Sequence, residues 1–295
     1  MKDEKKIFTP ETTKIERISP FSFAQNTSIG VGGTARFAFF PKDISEAVAL
    51  VSVLQKENIP FFALGNGTNV LPSDEASECV VVSTKKLVGV EIEKDVAFAY
   101  AGTDTKTLLE ELEKAALTGA EFLEGIPATL GGAAYMNAGA LGRRMEEIVE
   151  SVLVCQGGKI RLMEKKECGY SYKQSVFMNG DYFLLGVTLR LAVSTKEEIE
   201  KKRKACADTR KRLPVGKSMG CVFKNPIGTT AGKLVEGAGL KGFKIGGAYI
   251  SSKHANFIIN GGTATAKEIK SLINLIKSAV FSQYGVRLEE EIRYL

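Results

Sequence analysis

The residues best suited to chemistry lie in two glycine-bearing stretches. In ALGNGTNVLPSDE (63–75) an apolar run leads directly into Gly65-Asn66-Gly67-Thr68-Asn69. Two glycines let the main chain approach a ligand and aim successive N–H groups at pyrophosphate oxygens, while Thr68 and Asn69 add side-chain donors. The same residues also make a plain strand-to-strand turn, since Asn-Gly is a common hairpin connection. The spacing fits neither G-x-G-x-x-G nor the P-loop.

The second stretch, EFLEGIPATLGGAAYMNAGALG (121–142), gathers Gly125, Gly131, Gly132, Gly139 and Gly142 with small alanines around Asn137. Small residues allow backbone to lie close to a planar ring, whose heteroatoms an asparagine amide could bond. A helix pair packed through small residues is the alternative. Other chemistries are closed off by composition. Five widely spaced cysteines form no C-x-x-C pair, and one histidine cannot build a histidine metal centre. No metal site is expected. Charge is +6 with acidic and basic residues intermixed, which favours a small anionic ligand over nucleic acid.

The elements that must position these stretches read as α+β. A chain of 295 residues, 44% apolar and 25% charged, exceeds what one core usually serves, so two or three domains are expected. No segment approaches the roughly 20 apolar residues of a membrane span, and the charged opening is no signal peptide, so a cytoplasmic protein is expected. Helical spacing over 43–58 followed by the apolar run 61–64 suggests a β-α-β unit. Strands are expected at 88–92 and 152–155, with a helix over 104–117. The charge-dense segment 194–212 reads as an exposed helix joining domains. At 265–268, T-A-K-E is a capping box ahead of Ile269, Leu272, Ile273, Ile276 and Val280 on one face.

Taken together, NTSIGVGGTARF, LGNGTNVL, EGIPATLGGAAYMNAGALG, GCVFKNP and GGAYISSKHANFIIN closely resemble the UDP-N-acetylenolpyruvoylglucosamine reductase family, in order from about residue 20 onward. The length suggests the short form, without an inserted tyrosine-bearing loop. The resemblance implies a two-part FAD-binding region of the vanillyl-alcohol-oxidase (PCMH) type, 1–84 and 85–195, and a C-terminal α/β substrate domain, 196–295. It implies FAD as cofactor, NADPH as reductant, a UDP-sugar as substrate, and a monomer. Gly65, Asn66, Gly67, Thr68 and Asn69 would hold the FAD diphosphate. Ile126, Pro127, Thr129, Gly131, Gly132, Ala133, Asn137, Ala138 and Gly139 would line the flavin.

Reducing an enolpyruvyl double bond takes a hydride to one carbon, a proton to its neighbour, and stabilisation of charge building on the carboxylate. The family's proton donor is the serine of G-S-x-F-K-N-P, and Cys221 stands there. A thiol is the stronger acid, and Lys217 or Lys224 could favour its thiolate. The family's carboxylate-binding arginine in Y-R-x-S is replaced by Lys173, which keeps the charge and loses the planar fork. The terminal E-V-R pattern selects Glu291 from Glu289, Glu290 and Glu291 as the carboxylate that assists protonation. Tyr172, Lys217, Asn225 and His254 are matched to substrate contact, a structural role for His254 being equally compatible. The rival readings are another FAD oxidoreductase of the same fold, or a non-catalytic nucleotide-binding relative.

Overall fold

The computed structural model describes residues 4–295. The chain divides into two compact units, one of 4–19, 37–66 and 79–211, the other of 20–36, 67–78 and 212–295. Each has its own core, centred on residues such as Leu108, Val152 and Phe183 in the first and Ile250, Ile258 and Leu272 in the second.

Two sheets organise the first unit. One runs in the order Arg17–Ile18, Thr34–Phe39, Ser77–Ser83, Phe61–Leu64, and the chain passes between units within its two middle strands. The helical spacing read at 43–58 folds as Ile44–Lys56, with Ala47, Leu50, Val51 and Leu54 buried and the Asp43 carboxylate accepting from the Glu46 N–H at 2.9 Å. Phe61–Leu64 then pairs in parallel with Ser77–Ser83, Phe61 opposite Val80 and Leu64 opposite Ser83. Parallel pairing needs a crossover. Segment 65–76 supplies it, and the glycine turn opens it.

The other sheet is antiparallel, in the order Lys159–Glu164, Val149–Gln156, Tyr182–Arg190, Val96–Tyr100, Val90–Glu93. Tyr182–Arg190 is buried along most of its length because the helices Ile44–Lys56 and Leu130–Tyr135 both pack on it. The helix expected over 104–117 is Thr105–Lys114. It stops early because Ala116 turns to φ +56 and Leu117–Thr118 pairs instead with Ala192–Val193. In the charge-dense helix Lys196–Arg210 only Ile199 is buried. Its mostly covered Arg203 packs onto the helix Thr105–Lys114 and the segment after it, paired with Glu113 and, at 2.7 Å, with Glu124.

The second unit carries a four-stranded antiparallel sheet, Lys217–Ser218, Ile258–Asn260, Ala248–Ile250, Lys244–Ile245, covered by the helix Ala266–Tyr284. That helix begins at the expected capping box, and Ile269, Leu272, Ile273, Ile276 and Val280 are all buried. Asp74 adds to the cap, its two carboxylate oxygens accepting from the N–H groups of Ala266 and Lys267 at 2.8 and 2.9 Å. No helix among the described residues is long and apolar enough to cross a membrane.

Candidate functional site

In the first unit the glycines act by letting backbones touch. A Cβ on Gly65 would run into the Thr129 hydroxyl, and one on Gly131 would lie 2.8 Å from the Ala101 Cβ. Thr129 is buried; its Oγ1 accepts from the Gly132 N–H at 3.3 Å and so caps the short helix Leu130–Tyr135. Beside it, the Asn66 amide donates to Asp104 Oδ1 at 2.6 Å, holding the end of Phe61–Leu64 against the 104–129 backbone. Gly132 is exposed, and a Cβ there would meet only the Thr129 hydroxyl, at 3.3 Å. The exposed backbone at Gly132, bare of a side chain, suits the close approach of a flat cofactor, while both donors of the Asn66 amide are taken by Asp104 and the Pro127 carbonyl. A Gly65→Ala substitution is expected to displace Thr129 and weaken binding of the FAD that the resemblance implies at least about tenfold, measured by titrating apoprotein with FAD.

Asn137 departs from expectation. Its side chain is wholly buried and spent on the chain itself, Nδ2 donating to the Ser171 carbonyl at 2.8 Å and to Glu146 Oε2 at 3.0 Å, Oδ1 accepting from the Glu146 N–H at 3.0 Å. A fully engaged amide has no donor left for a ring. Tyr172 and Lys173 form the centre of a tight turn closed by reciprocal Ser171–Gln174 backbone bonds of 3.2 Å. The Arg144 guanidinium sits 5.5 Å from the centre of the Tyr172 ring. Ile126 and Ala128 anchor the loop before the helix, their carbonyls accepting from the side-chain hydroxyl and N–H of Thr105; Ala133 is buried, and Pro127, Ala138 and Gly139 reach the surface to differing degrees. The boundary between units falls inside the expected diphosphate turn, between Asn66 and Gly67.

In the second unit the structure brings Cys221 and Glu291 onto paired segments. Phe223 faces Glu290 in an antiparallel bridge, the Glu291 N–H donates to the Val222 carbonyl at 2.8 Å, and the Lys224 N–H donates to the Glu289 carbonyl at 2.9 Å. The other edge of the Cys221 segment is gripped by Asn256. Its buried side chain accepts from the Phe223 N–H at 2.9 Å and donates to the Phe223 carbonyl at 2.8 Å, imitating a strand partner. Asn69 holds the far side, its amide donating to the Glu291 carbonyl at 3.1 Å. Gly67, at φ +63, packs against the Asn26 carbonyl, and Thr68 lies half-exposed between the two.

The three terminal glutamates separate by partner. Glu289 lies 3.3 Å from the Lys224 ammonium, and Glu290 lies 2.7 Å from that of Lys277. Burial pushes the Glu290 carboxyl up, but Lys277 and the Tyr294 hydroxyl outweigh it and hold the group below its ordinary range. The Lys224 ammonium that was expected to favour a Cys221 thiolate is thus engaged by Glu289, while Lys217 extends over Gly30. Asn225 Oδ1 accepts from the Ala231 N–H at 3.1 Å at the start of the helix Ala231–Gly237. His254 packs edge-on against Phe257, and burial holds its pKa below the ordinary value. Its Nδ1 accepts from the Asn256 N–H at 3.3 Å, which leaves the proton of the neutral ring on Nε2. Sequence reasoning assigned no role to Asn256 or Asp104, because an amide standing in for a strand partner leaves no local pattern.

The family model described as UDP-N-acetylenolpyruvoylglucosamine reductase, C-terminal domain, matches residues 211–295, and that of an FAD binding domain matches 35–161. A UDP-N-acetylenolpyruvoylglucosamine reductase of Caldanaerobacter subterraneus is 40% identical over 91% of this chain and 90% of its own length. The chain belongs to the UDP-N-acetylenolpyruvoylglucosamine reductase family. The family member from Thermotoga maritima is 37% identical over 90% of this chain and 94% of its own. The crystal structure of the Thermus caldophilus reductase is similar with a TM-score of 0.81 at 33% identity, covering 95% of this chain and 98% of that one. A solvent-stable cholesterol oxidase shares the fold over 63% of this chain and 39% of its own, with a TM-score of 0.51 at 18% identity. The fold class is the reductase family's: an α+β FAD-binding region of the PCMH type followed by a C-terminal substrate domain.

Proposed function

We propose that this chain is the FAD-dependent, NADPH-driven reductase that converts UDP-N-acetylglucosamine enolpyruvate to UDP-N-acetylmuramate in peptidoglycan precursor synthesis. The observation that carries this is family membership along nearly the full length of both chains. Bound FAD would supply hydride chemistry, with NADPH as the reductant. In the first unit the exposed backbone at Gly132 suits it, beside Gly65, Asn66 and Thr129, with Gly131 packed beneath on Ala101; Gly67, Thr68 and Asn69 belong to the same turn.

The chain's own residues do the rest. The Lys173 ammonium offsets charge growing on the substrate carboxylate, Cys221 Sγ delivers the proton, and the Glu291 carboxylate assists that transfer. What supports the pairing of the last two is that they lie on adjacent segments, the Glu291 N–H donating to the carbonyl of Val222 next to Cys221 at 2.8 Å. Tyr172, Lys217, Asn225 and His254 are assigned to the sugar nucleotide. Sheets within 17–83, 90–190 and 217–260 speak for a division into 1–84, 85–195 and 196–295, whereas the parallel pairing of Val70–Leu71 with Arg293–Tyr294 and the grouping of 20–36 and 67–78 with 212–295 tie parts of the first segment to the last. The reading carries with it a cytoplasmic monomer serving cell-wall biogenesis, cell shape and cell division.

The test is spectral. Purified protein should be yellow, bleach with NADPH and recover colour when the enolpyruvyl sugar nucleotide is added. Bleaching without recovery means a different oxidoreductase of this fold, and colourless protein that takes up no flavin overturns the proposal.

A further inference from the structure

The Lys173 turn is tied at both ends to the helix Leu130–Tyr135 and the residues that follow it. At its start the Ser171 carbonyl accepts from Asn137 Nδ2 at 2.8 Å, and past its end Ser175 Oγ donates to the Tyr135 carbonyl at 2.6 Å. Lys173 itself sits at φ +56, a backbone state that a lysine holds only when its surroundings impose it. The reciprocal Ser171–Gln174 backbone bonds close the turn, and these two contacts hold it in place.

Asn137 is the more demanding of them. It has no exposed surface, and it too has positive φ, +43. Its amide orientation is fixed chemically. Turned over, Oδ1 would face the Ser171 carbonyl and Nδ2 would face the Glu146 N–H, oxygen against oxygen and donor against donor. Glu146 secures this arrangement from two sides, through its N–H to Oδ1 and its Oε2 to Nδ2, both at 3.0 Å. Glu146 is itself held by the Arg144 guanidinium, 3.1 Å from Oε1.

We propose that Asn137 is a positioning residue for substrate reduction. Gripped by Glu146, its amide sets where the Tyr172-Lys173 turn stands relative to the 130–138 backbone, and so where the Lys173 ammonium meets the substrate carboxylate. The proposal rests on the reading of Lys173 given above. A lysine lacks the planar fork that would orient itself on a carboxylate, so its aim depends on the backbone beneath it. Misplacement by about 1 Å costs on the order of 10²-fold in rate.

Asn137→Gly tests this with little backbone cost, because glycine adopts φ +43 freely. Stopped-flow on the holoenzyme separates bleaching by NADPH from recovery of colour with the enolpyruvyl sugar nucleotide. The recovery rate should fall 10- to 100-fold while bleaching stays within threefold. In the double variant Asn137→Gly/Lys173→Met, recovery should be no slower than in Lys173→Met alone, because an amide that acts through Lys173 has nothing left to aim. Independent, multiplicative losses, or equal losses in both half-reactions, would show an amide that merely supports the fold and would overturn the proposal. A wild-type recovery rate in Asn137→Gly overturns it too. If Lys173→Met alone recovers at the wild-type rate, the reading of Lys173 fails, and this proposal with it.

Discussion

Cys221→Ala should slow reduction of the enolpyruvyl substrate by about 10²- to 10⁴-fold, the range that removing a positioned general acid commonly costs. NADPH should still bleach the flavin in this variant, because that half-reaction needs no proton from the thiol. Cys221→Ser installs the residue type of the family motif and should lie within about tenfold of the parent. The comparison is clean because the backbone of this segment is fixed independently of the side chain at 221. Phe223 is clamped by Asn256 on one edge and bridged to Glu290 on the other. An alanine there changes chemistry and leaves geometry alone. Stopped-flow recovery of flavin absorbance reads the effect, and an alanine variant that recovers at the parental rate would strip Cys221 of its role.

The second large effect is expected at Lys173. Lys173→Met removes the charge while keeping an unbranched side chain, and should lower the rate of substrate reduction by about 10²- to 10³-fold, as losing one preorganised charge-stabilising group does. Lys173→Arg should be tolerated, since it restores the fork of the family motif. All three residues face the same backbone cost at φ +56, so strain does not confound the series. Equal rates in parent, methionine and arginine forms would remove Lys173 from the mechanism.

Features carried by neighbours in sequence were legible before the structure. The capping box at Thr265 and the apolar face from Ile269 to Val280 form as read, because both depend on contacts within a turn or two of helix. The glycine-rich stretches were read as bringing backbone close to a ligand; the contacts seen at Gly65 and Gly131 bring the chain close to itself, at Thr129 and Ala101. Contacts between distant segments left no trace. Nothing in Phe61–Leu64 names Ser77–Ser83 as its parallel partner, and nothing in GCVFKNP announces the Asn256 clamp. Asn137 shows the same limit from the other side. Its setting among small residues suggested a ligand contact, whereas Glu146 and Ser171, brought to it by folding, take up the whole amide.

One consequence follows from how Asp74 and Thr265 finish the helix Ala266–Tyr284. The N–H groups of Ala266, Lys267, Glu268 and Ile269 all have acceptors within the chain, and a carboxylate already stands where the positive end of the dipole would draw a phosphate. This pole is closed to phosphoryl oxygens. The pull of the second unit on a nucleotide then falls to groups other than this helix pole, and the part carried by its lysine and arginine side chains is an attraction that mobile ions screen over a Debye length of about 8 Å at physiological ionic strength.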